Sequence, residues 1–520
     1  MATTSQVPFL ERADLSRLTS STNPLSVPLT RDQVRHLFAR LTFCASPAEV
    51  DASVGRMAVD LVKELLDEAL FSGEDIPAWA TLLPPPRTAS DAEKKQFSDD
   101  NAEWRRILRD DLTAEMASIG LRGKLFLFWH NHFVTSMETY RYAALGYRYA
   151  RLLRLSAQAD FKQLVKDVTK DGAMLVYLDG RNNSAAAPNE NYARELMELF
   201  TMGPTASDGS SNYTEFDVQE MARAMTGYRL VARSSWEASF EEGRHDTGEK
   251  TIFGTTGSWT PEEAIDHLFD ARGPQIAYFI AEKAYKFFVH QVEDPVFIDA
   301  LAAVFLDSGF SLRTLFETLF ASERFFDPTI AGGIVKSPLD LYLGHYSETG
   351  QQPDTLQTSQ IWLFSRQAEQ FLLNPPNVAG WSGHRDWLDT NTLSTRWNAS
   401  SVIALRRLSD DQIRSFAEQV SDPQSADNAF ELPLAIARHV MHVPKDWVEI
   451  PSIDSGFEGD LAAFPIPAWV EDSSEADQSL IKLFLGSTPW YEWNLAAANA
   501  PGRIASFLDR LVRFPEYQLI

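Results

Sequence analysis

The stretch NAEWRRILRDDLTAEMASIGLRGKLFLFW, residues 101–129, has apolar side chains at the three- and four-residue spacing of an amphipathic helix. The same spacing recurs along most of the chain, in segments 47–71, 142–156, 159–170, 189–202, 215–227, 260–290, 294–308 and 312–322. The sequence therefore predicts a mostly α protein, a globular array of many helices with one small β-hairpin and long ordered loops.

Capping boxes predict where several of these helices begin. In such a box, a Ser or Thr side chain and a Glu or Gln side chain three residues later accept hydrogen bonds from each other's backbone N–H groups. The predicted pairs are Thr30/Gln33, Ser46/Glu49, Ser90/Glu93, Thr260/Glu263 and Ser409/Gln412. Each box predicts that a helix begins at the residue after its Ser or Thr.

Three segments depart from helical spacing. Residues 235–254 alternate apolar and polar side chains and contain a glycine turn, which predicts a small β-hairpin or an ordered loop. Residues 373–397, rich in Pro, Gly, Asn and Trp, are predicted to be irregular, and residues 443–477 to be a solvated acidic excursion. The predicted organisation is an N-terminal extension, a helical core and a C-terminal helical region, residues 1–27, 28–400 and 401–520.

The composition excludes several classes of function. With 47 Lys and Arg against 72 Asp and Glu, the chain has a formal charge of −25, which excludes a sequence-independent grip on nucleic acid. The single cysteine, Cys44, excludes a disulfide framework and a zinc site built on several thiolates, and we expect it to be a buried small hydrophobe. The excess of acidic over basic residues favours a neutral or cationic substrate.

The sequence contains no predicted membrane span. No run approaches the roughly 18 consecutive apolar residues that a spanning helix needs. The first 20 residues have neither a basic region nor an apolar core, so they do not resemble a secretory signal. We therefore expect a cytoplasmic protein, and the alternative is export together with a partner.

A first candidate site is the motif Trp129-His130-Asn131-His132-Phe133. Two histidines two positions apart point in nearly opposite directions on a helix, so they reach one metal ion together only where the helix ends. On this interpretation His130 and His132 are metal ligands. On the other interpretation, His130 packs with Phe126 and Phe133 as a satisfied core histidine, and His132 caps a helix end.

A second candidate is the segment PNENYARELMELF, residues 188–200. Asn189 is a predicted N-cap, and Glu190 and Arg194 share one face as part of a salt-bridge ladder. If this helix packs beside the histidine motif, Glu190 or Glu195 completes a metal site or acts as a general base. The favoured role of the isolated segment is structural.

A third candidate is the turn HDTGEK, residues 245–250. His245 and Asp246 are adjacent, Gly248 permits close approach of the backbone, and Lys250 brings a cation to the same turn. Such a group suits metal ligation or anion binding, with Asp246 and Lys250 in catalytic roles. It suits an ordinary charged β-turn equally well.

A fourth candidate is the segment NPPNVAGW, residues 374–381, which is followed by further tryptophans. Aromatic rings interleaved with amides on irregular backbone are typical of a platform for carbohydrate or peptide, with Asn377 and Trp381 as ligand-binding residues. The favoured alternative is a plug that fills the helical core with aromatic side chains.

Taken in order, the segments LFWHNHF, PNENYARELMELFTMG, YTEFDVQEMARAMTGY, HDTGEKTIFG and PPNVAGW resemble the bacterial domain-of-unknown-function family numbered eighteen hundred. The opening LTRDQVRHLFARLTFCASPAEVD is similar to the family's usual start, and the resemblance covers roughly residues 28–400. It implies a mostly helical protein without an established reaction. Members are often found beside an exported family related to sulfatases and phosphatases, which implies a partner of that kind.

The family pattern matches this chain at all four candidate sites. The matched residues are His130, Asn131, His132, Asn189, Glu190, Arg194, Glu195, His245, Asp246, Gly248, Lys250, Asn377, Gly380 and Trp381. One departure is Phe200, where many relatives have histidine. If that histidine is a metal ligand in the relatives, this chain lacks one ligand; otherwise the position is structural throughout the family.

The favoured function is a metal-assisted hydrolase or transferase acting on an envelope or extracellular polymer, a glycan or a peptide. Its divalent transition metal would be held by His130, His132 and His245, its catalytic residues would be Glu190, Glu195, Asp246 and Lys250, and its ligand-binding residues would be Asn189, Arg194, Asn377 and Trp381. One alternative is a non-catalytic assembly or export partner of the exported sulfatase- or phosphatase-like protein. Another is a purely structural helical scaffold.

Overall fold

Helices account for most of the computed structural model, which describes residues 21–73, 75–206, 208–231, 233–443 and 467–520. The prediction of a mostly α protein is confirmed. Over these ranges the α-helices are α1 Arg31–Leu41, α2 Pro47–Ser53, α3 Ala58–Glu68, α4 Asp91–Ser118, α5 Gly120–His132, α6 Met137–Tyr140, α7 Ala143–Ser156, α8 Phe161–Thr169, α9 Gly172–Tyr177, α10 Glu190–Glu195, α11 Glu215–Ala224, α12 Pro261–Phe288, α13 Pro295–Asp307, α14 Leu312–Ala321, α15 Pro338–Glu348, α16 Thr355–Gln367, α17 Thr390–Arg406, α18 Asp410–Val420, α19 Asn428–Val440, α20 Ala468–Glu471, α21 Glu475–Leu485 and α22 Ala500–Leu511.

The β-strands of the described part of the chain all lie between α11 and α12. Its strands form two antiparallel pairs, β1 Tyr228–Arg229 with β2 Ser239–Phe240, and β3 Lys250–Ile252 with β4 Thr255–Gly257. A small β-hairpin is therefore present, as β3–β4, with a pairing that differs from the predicted one. The two halves of residues 235–254 do not pair with each other, because each finds its partner strand elsewhere.

All five predicted capping boxes are formed. At each one the Ser or Thr side chain accepts from the backbone N–H three residues later, and the Glu or Gln side chain accepts from the cap backbone. These boxes begin α1, α2, α4, α12 and α18. The local capping pattern therefore predicted helix starts correctly.

Two long helical predictions are each divided into two helices, and a third, residues 260–290, has a kink at the non-helical Arg272 of α12. Segment 47–71 divides into α2 and α3 because Val54 is extended and Gly55 has a φ of +83°. The helix predicted over residues 101–129 divides at Ile119, whose backbone is not helical, and α5 begins at the next residue. A Cβ at Gly120 would lie 2.5 Å from the Thr42 Cβ, so the close approach of Thr42 requires glycine at the start of α5.

The predicted irregular segments are partly helical. Residues 373–389 are irregular apart from the short 3-10 turn His384–Trp387, and α17 begins at Thr390 behind the Asp389 cap. Of the predicted acidic excursion, residues 444–466 lie outside the described residues, and the remainder contains α20 and the start of α21.

The central helix of the core is α5, of which ten of thirteen residues are buried. Trp129 stacks near Phe161 at 5.7 Å between ring centroids, and Phe128 meets Phe287 at 5.3 Å. The histidine motif at the C-terminal end of α5 therefore lies in the interior. Among the described residues, no helix has both the length and the apolarity to cross a bilayer.

Candidate functional site

A cavity of about 290 Å³ lies beside α5, between this helix, α12 and residues 379–387. We call it the basic cavity, because its titratable lining side chains are Arg40, Lys124, His132, Lys283, Lys286, His384 and a single carboxylate, Asp340. Such a lining attracts anions although the whole chain carries a formal charge of −25. The net charge favoured a neutral or cationic substrate, whereas this lining favours an anionic one.

Two of the cavity's cations are neutralised locally. Lys124 donates to Asp340, and Lys286 pairs with Glu282 and with Glu293, the latter at 2.6 Å. In the described part of the chain, Arg40 and Lys283 have no carboxylate within ion-pair distance. These two cations give the cavity its excess positive charge.

Lys283 projects from α12 toward the end of α5. Its ammonium donates to the backbone oxygen of Leu199 at 3.1 Å and to His132 Nδ1 at 3.3 Å. Burial lowers its pKa to about 8, against the attraction of Glu282. An ammonium has three hydrogens, so one N–H is not used by these two hydrogen bonds, and the Phe279 ring lies 4.6 Å from the Nζ atom.

The hydrogen bonds of His132 fix its tautomer. Its Nε2 lies 2.9 Å from the backbone oxygen of Phe200, which only accepts, so Nε2 carries the hydrogen. Nδ1 is then the acceptor for Lys283. Burial, reinforced by the Lys283 charge, holds the pKa of His132 well below its ordinary range, and the ring is neutral.

A π-helix supplies the two carbonyl groups that hold these side chains. Leu196–Thr201 continues α10 with wider turns, and Met202 N–H donates to the Met197 oxygen five residues back at 3.3 Å. The oxygens of Leu199 and Phe200 are then directed to Lys283 and His132. The Phe200 ring itself packs 6.2 Å from the His132 ring, so in this chain position 200 contributes aromatic packing.

Arg40 approaches the cavity from α1 and is almost completely buried. Its guanidinium donates to the backbone oxygens of Val289 at 2.8 Å and Ile330 at 2.9 Å. Its Nε has no hydrogen-bond partner among the described residues. Burial lowers the pKa of Arg40 to about 9, against the attraction of Tyr285 and Asp340.

His130 occupies the core as a satisfied histidine. Its Nε2 accepts from the backbone N–H of Leu373 at 3.2 Å, so Nδ1 carries the hydrogen, 3.4 Å from the Tyr149 hydroxyl. Burial lowers its pKa to about 3. Both ring nitrogens are engaged with protein groups, as the structural interpretation of the motif requires.

Asn131 holds the segment NPPNVAGW, residues 374–381, against α5, and we call this segment the Trp-containing loop. Its side-chain oxygen accepts from Trp381 N–H at 2.7 Å, and its amide donates to the Trp381 oxygen at 3.3 Å. Gly380 has a φ of +88°, and a Cβ there would lie 2.3 Å from Asn131 Oδ1. The loop therefore needs glycine at this close approach.

The loop forms a plug and also one wall of the basic cavity. Trp381 and Trp387 are each 7% exposed, and the exposed Asn377 accepts from Ala379 N–H at 2.8 Å as a turn residue. The Trp381 ring meets His130 at 5.4 Å, and its Nε1 has no partner among the described residues. This arrangement supports the plug interpretation.

Side chains of residues 189–195 lie away from the basic cavity. Asn189 is the predicted N-cap and accepts from Asn191 N–H, while Arg194 pairs with Glu190 at 3.3 Å and with Glu215 at 2.7 Å. Glu195 is partly buried, and its pKa is raised by burial and by Glu198. None of these four residues lines the cavity.

The HDTGEK turn is held by hydrogen bonds within it and by contacts to residues 223 and 226. Lys250 is fully buried and donates to the backbone oxygens of Asp246 and Gly248, the second at 2.9 Å. Asp246 pairs with Arg223 of α11 at 2.7 Å. His245 Nδ1 lies 2.9 Å from the Thr226 oxygen. These contacts are those of an ordered structural turn.

The structure brings two of the four predicted motifs together. Asn131, His132 and Trp381 share the basic cavity, whereas His245 does not line it. Among the described residues, Cys44, Glu348 and His442 form a group of three possible metal ligands. Their ligand atoms all lie within 4.8 Å of one another. The three predicted histidine ligands do not form such a group.

Sequence reasoning missed Lys283 and Arg40. Both occupy ordinary positions in amphipathic helices, where a basic side chain is normally solvated. Their significance arises from partners in other segments, and no local spacing in the sequence contains that information.

These features define a mostly helical protein whose buried central helix ends beside a basic cavity. The family model described as "Protein of unknown function (DUF1800)" matches residues 36–518, and the chain belongs to this family. The predicted resemblance is thereby confirmed and extends beyond residue 400. Neither the comparison with curated proteins nor that with solved structures found a match.

Proposed function

We propose that the basic cavity is the functional site and that the protein is a hydrolase or transferase whose substrate presents an anionic group there. The observation that carries this proposal is the pair of cations without carboxylate partners, Arg40 and Lys283, on one small cavity. Burying an uncompensated charge costs free energy, and a bound carboxylate, phosphate or sulfate group removes that cost.

The cavity suits a group at the end of a larger molecule. Its volume of about 290 Å³ is at the lower limit for a small organic ligand, which typically occupies roughly 300 Å³ or more. The plug side chain Trp381 offers an aromatic wall next to the cations. An envelope or extracellular polymer bearing anionic groups therefore fits the favoured substrate class, with its charged end inside.

Lys283 is the residue with the clearest chemical role. With a pKa of about 8, its ammonium is close to the pH at which proton transfer to a leaving group is efficient. It also lies where developing negative charge would be stabilised, the role that the sequence assigned to Lys250. Hydrogen bonds from the ammonium to His132 Nδ1 and to the Leu199 oxygen fix its orientation.

Anion binding tests this proposal directly. We expect sulfate and phosphate to raise the melting temperature of the protein at constant ionic strength, relative to chloride. Lys283→Met should weaken sulfate binding about 10- to 100-fold, because a buried charge-assisted hydrogen bond contributes about 1.5–3 kcal/mol. Calorimetric titration of the folded variant measures this change.

A matched control removes the same charge from the surface. Lys166 on α8 is paired with Asp266 at 2.7 Å and does not line the cavity. Lys166→Met should leave sulfate affinity unchanged. Equal weakening in both variants, or no binding by the parent protein, contradicts the proposal.

A further inference from the structure

A second cluster of reactive side chains lies outside the basic cavity, and the function proposed above does not use it. Cys44 follows α1, Glu348 is the last residue of α15, and His442 follows α19. Their side chains are almost completely buried. Three segments far apart in sequence therefore bring a thiol, a carboxylate and an imidazole to one place.

We propose that Cys44, Glu348 and His442 bind a zinc-class divalent transition metal ion. The His442 Nε2 lies 3.4 Å from Cys44 Sγ and 3.2 Å from Glu348 Oε1. Tetrahedral coordination with bonds of about 2.0–2.3 Å separates neighbouring ligand atoms by roughly 3.3–3.6 Å. The two separations from His442 Nε2 are close to this geometry, and all three ligand atoms lie within 4.8 Å of one another.

The cluster does not have the arrangement of a catalytic triad. The Glu348 carboxylate bonds to both Cys44 and His442, and the His442 Nε2 faces Cys44 as well as Glu348. In a catalytic cysteine–histidine–carboxylate triad, sulfur and carboxylate lie on opposite ring nitrogens. Here they share one nitrogen, and the His442 Nδ1 has no partner among the described residues. One ion at the centre satisfies all three ligand atoms.

Neighbouring groups orient the carboxylate for this role. The Tyr517 hydroxyl donates to Glu348 Oε2 at 2.8 Å, which leaves Oε1 for the ion. Lys336 Nζ lies 3.4 Å from the same Oε1 and also 3.9 Å from the centre of the Tyr517 ring. When an ion takes Oε1, Lys336 keeps the aromatic ring as a partner.

The proposed complex has two anionic ligands. Binding requires Cys44 to lose its proton to solvent, so the thiolate and the Glu348 carboxylate offset the two charges of the ion, and the buried Lys336 ammonium leaves one net positive charge at the site. His442 binds as the neutral ring. The proposal gives the predicted transition metal a ligand set different from His130, His132 and His245, and it does not depend on the basic cavity.

Metal content of the full-length protein, refolded with Zn²⁺ and freed of loose ions, tests the site. We expect about one equivalent of Zn²⁺ in the parent protein, lost in Cys44→Ser and in His442→Gln. His245→Gln is the matched control, since it removes a histidine that the sequence predicted as a ligand, and it should retain the ion. No Zn²⁺ in the folded parent protein, or loss in His245→Gln alone, overturns the proposal.

Cobalt substitution gives a readout that is independent of folding defects in the variants. Co²⁺ bound to the parent protein should show a sulfur-to-metal charge-transfer band in the near ultraviolet, because Cys44 is the single thiol in the chain. Tyr517→Phe should keep this band and weaken Zn²⁺ binding about 10-fold, by loss of the carboxylate's orienting hydrogen bond. A bound Co²⁺ without the sulfur band overturns the site.

Discussion

The basic cavity and the HDTGEK turn contain the same kinds of side chain in opposite circumstances. In the turn, Lys250 gives its hydrogen bonds to two backbone oxygens and Asp246 is paired with Arg223. In the cavity, Lys283 retains one N–H and has no carboxylate partner among the described residues. The difference shows that residue type alone does not define a site; what matters is whether the polar atoms are already engaged.

The largest expected effect concerns the wall of the cavity. In Gly380→Ala the new Cβ would lie 2.3 Å from Asn131 Oδ1, at a residue whose φ is +88°. We expect a loss of about 3 kcal/mol in the free energy of unfolding, from steric overlap and backbone strain together. Sulfate affinity should fall in the same variant, because the displaced loop carries Trp381. Urea denaturation and calorimetric titration measure the two changes.

Gly254→Ala near the turn is the control for backbone strain. Its φ is +79°, but a Cβ there meets nothing within 4 Å. It should cost only about 1 kcal/mol and leave sulfate affinity unchanged. Equal destabilisation by the two substitutions would show that Asn131 and Gly380 are not in close contact.

A second prediction separates the two lysines. Lys250→Met leaves the oxygens of Asp246 and Gly248 without their donor, so we expect about 2 kcal/mol of destabilisation. Because Lys250 does not line the cavity, sulfate affinity should remain that of the parent protein. Chemical denaturation combined with sulfate titration gives both values. Weaker sulfate binding in folded Lys250→Met would contradict this prediction and show that the HDTGEK turn contributes to anion binding.

The smallest expected effect is the pH dependence of anion binding. Lys283, whose pKa is about 8, faces His132, Lys286 and Glu282, and it binds anions only while it is protonated. Its charged fraction falls about 10-fold between pH 7 and pH 9, so sulfate affinity should decline as pH rises through about 8. Sulfate does not titrate in this range. In Lys283→Met the decline centred near pH 8 should be lost, and the remaining decrease should begin only as pH approaches 9, where Arg40 titrates.

Local signals in the sequence predicted much of the fold. Capping boxes such as Thr30/Gln33 need only a few neighbouring residues, and they formed as predicted. The break at Ile119 was missed because its cause lies elsewhere: Thr42, distant in sequence, packs against Gly120. Helix starts are therefore local information, whereas some helix breaks are set by tertiary contacts.

The candidate site was predicted less completely for the same reason. Asn131, His132 and Trp381 were found because they lie in motifs of unusual composition. Lys283 was missed, because its role depends on carbonyl oxygens of another segment. Cys44 was interpreted as a small hydrophobe, since its partners Glu348 and His442 are hundreds of residues away in sequence.

The π-helix at Leu196–Thr201 makes the cavity sensitive to chain length. A π-helical turn is equivalent to an α-helix with one residue inserted, and the insertion turns two carbonyl oxygens toward Lys283 and His132. Deleting one residue from this segment restores the α-helical pitch and withdraws both oxygens, whatever side chains remain. In this chain a one-residue deletion in the segment should therefore disturb the cavity more than a single substitution there.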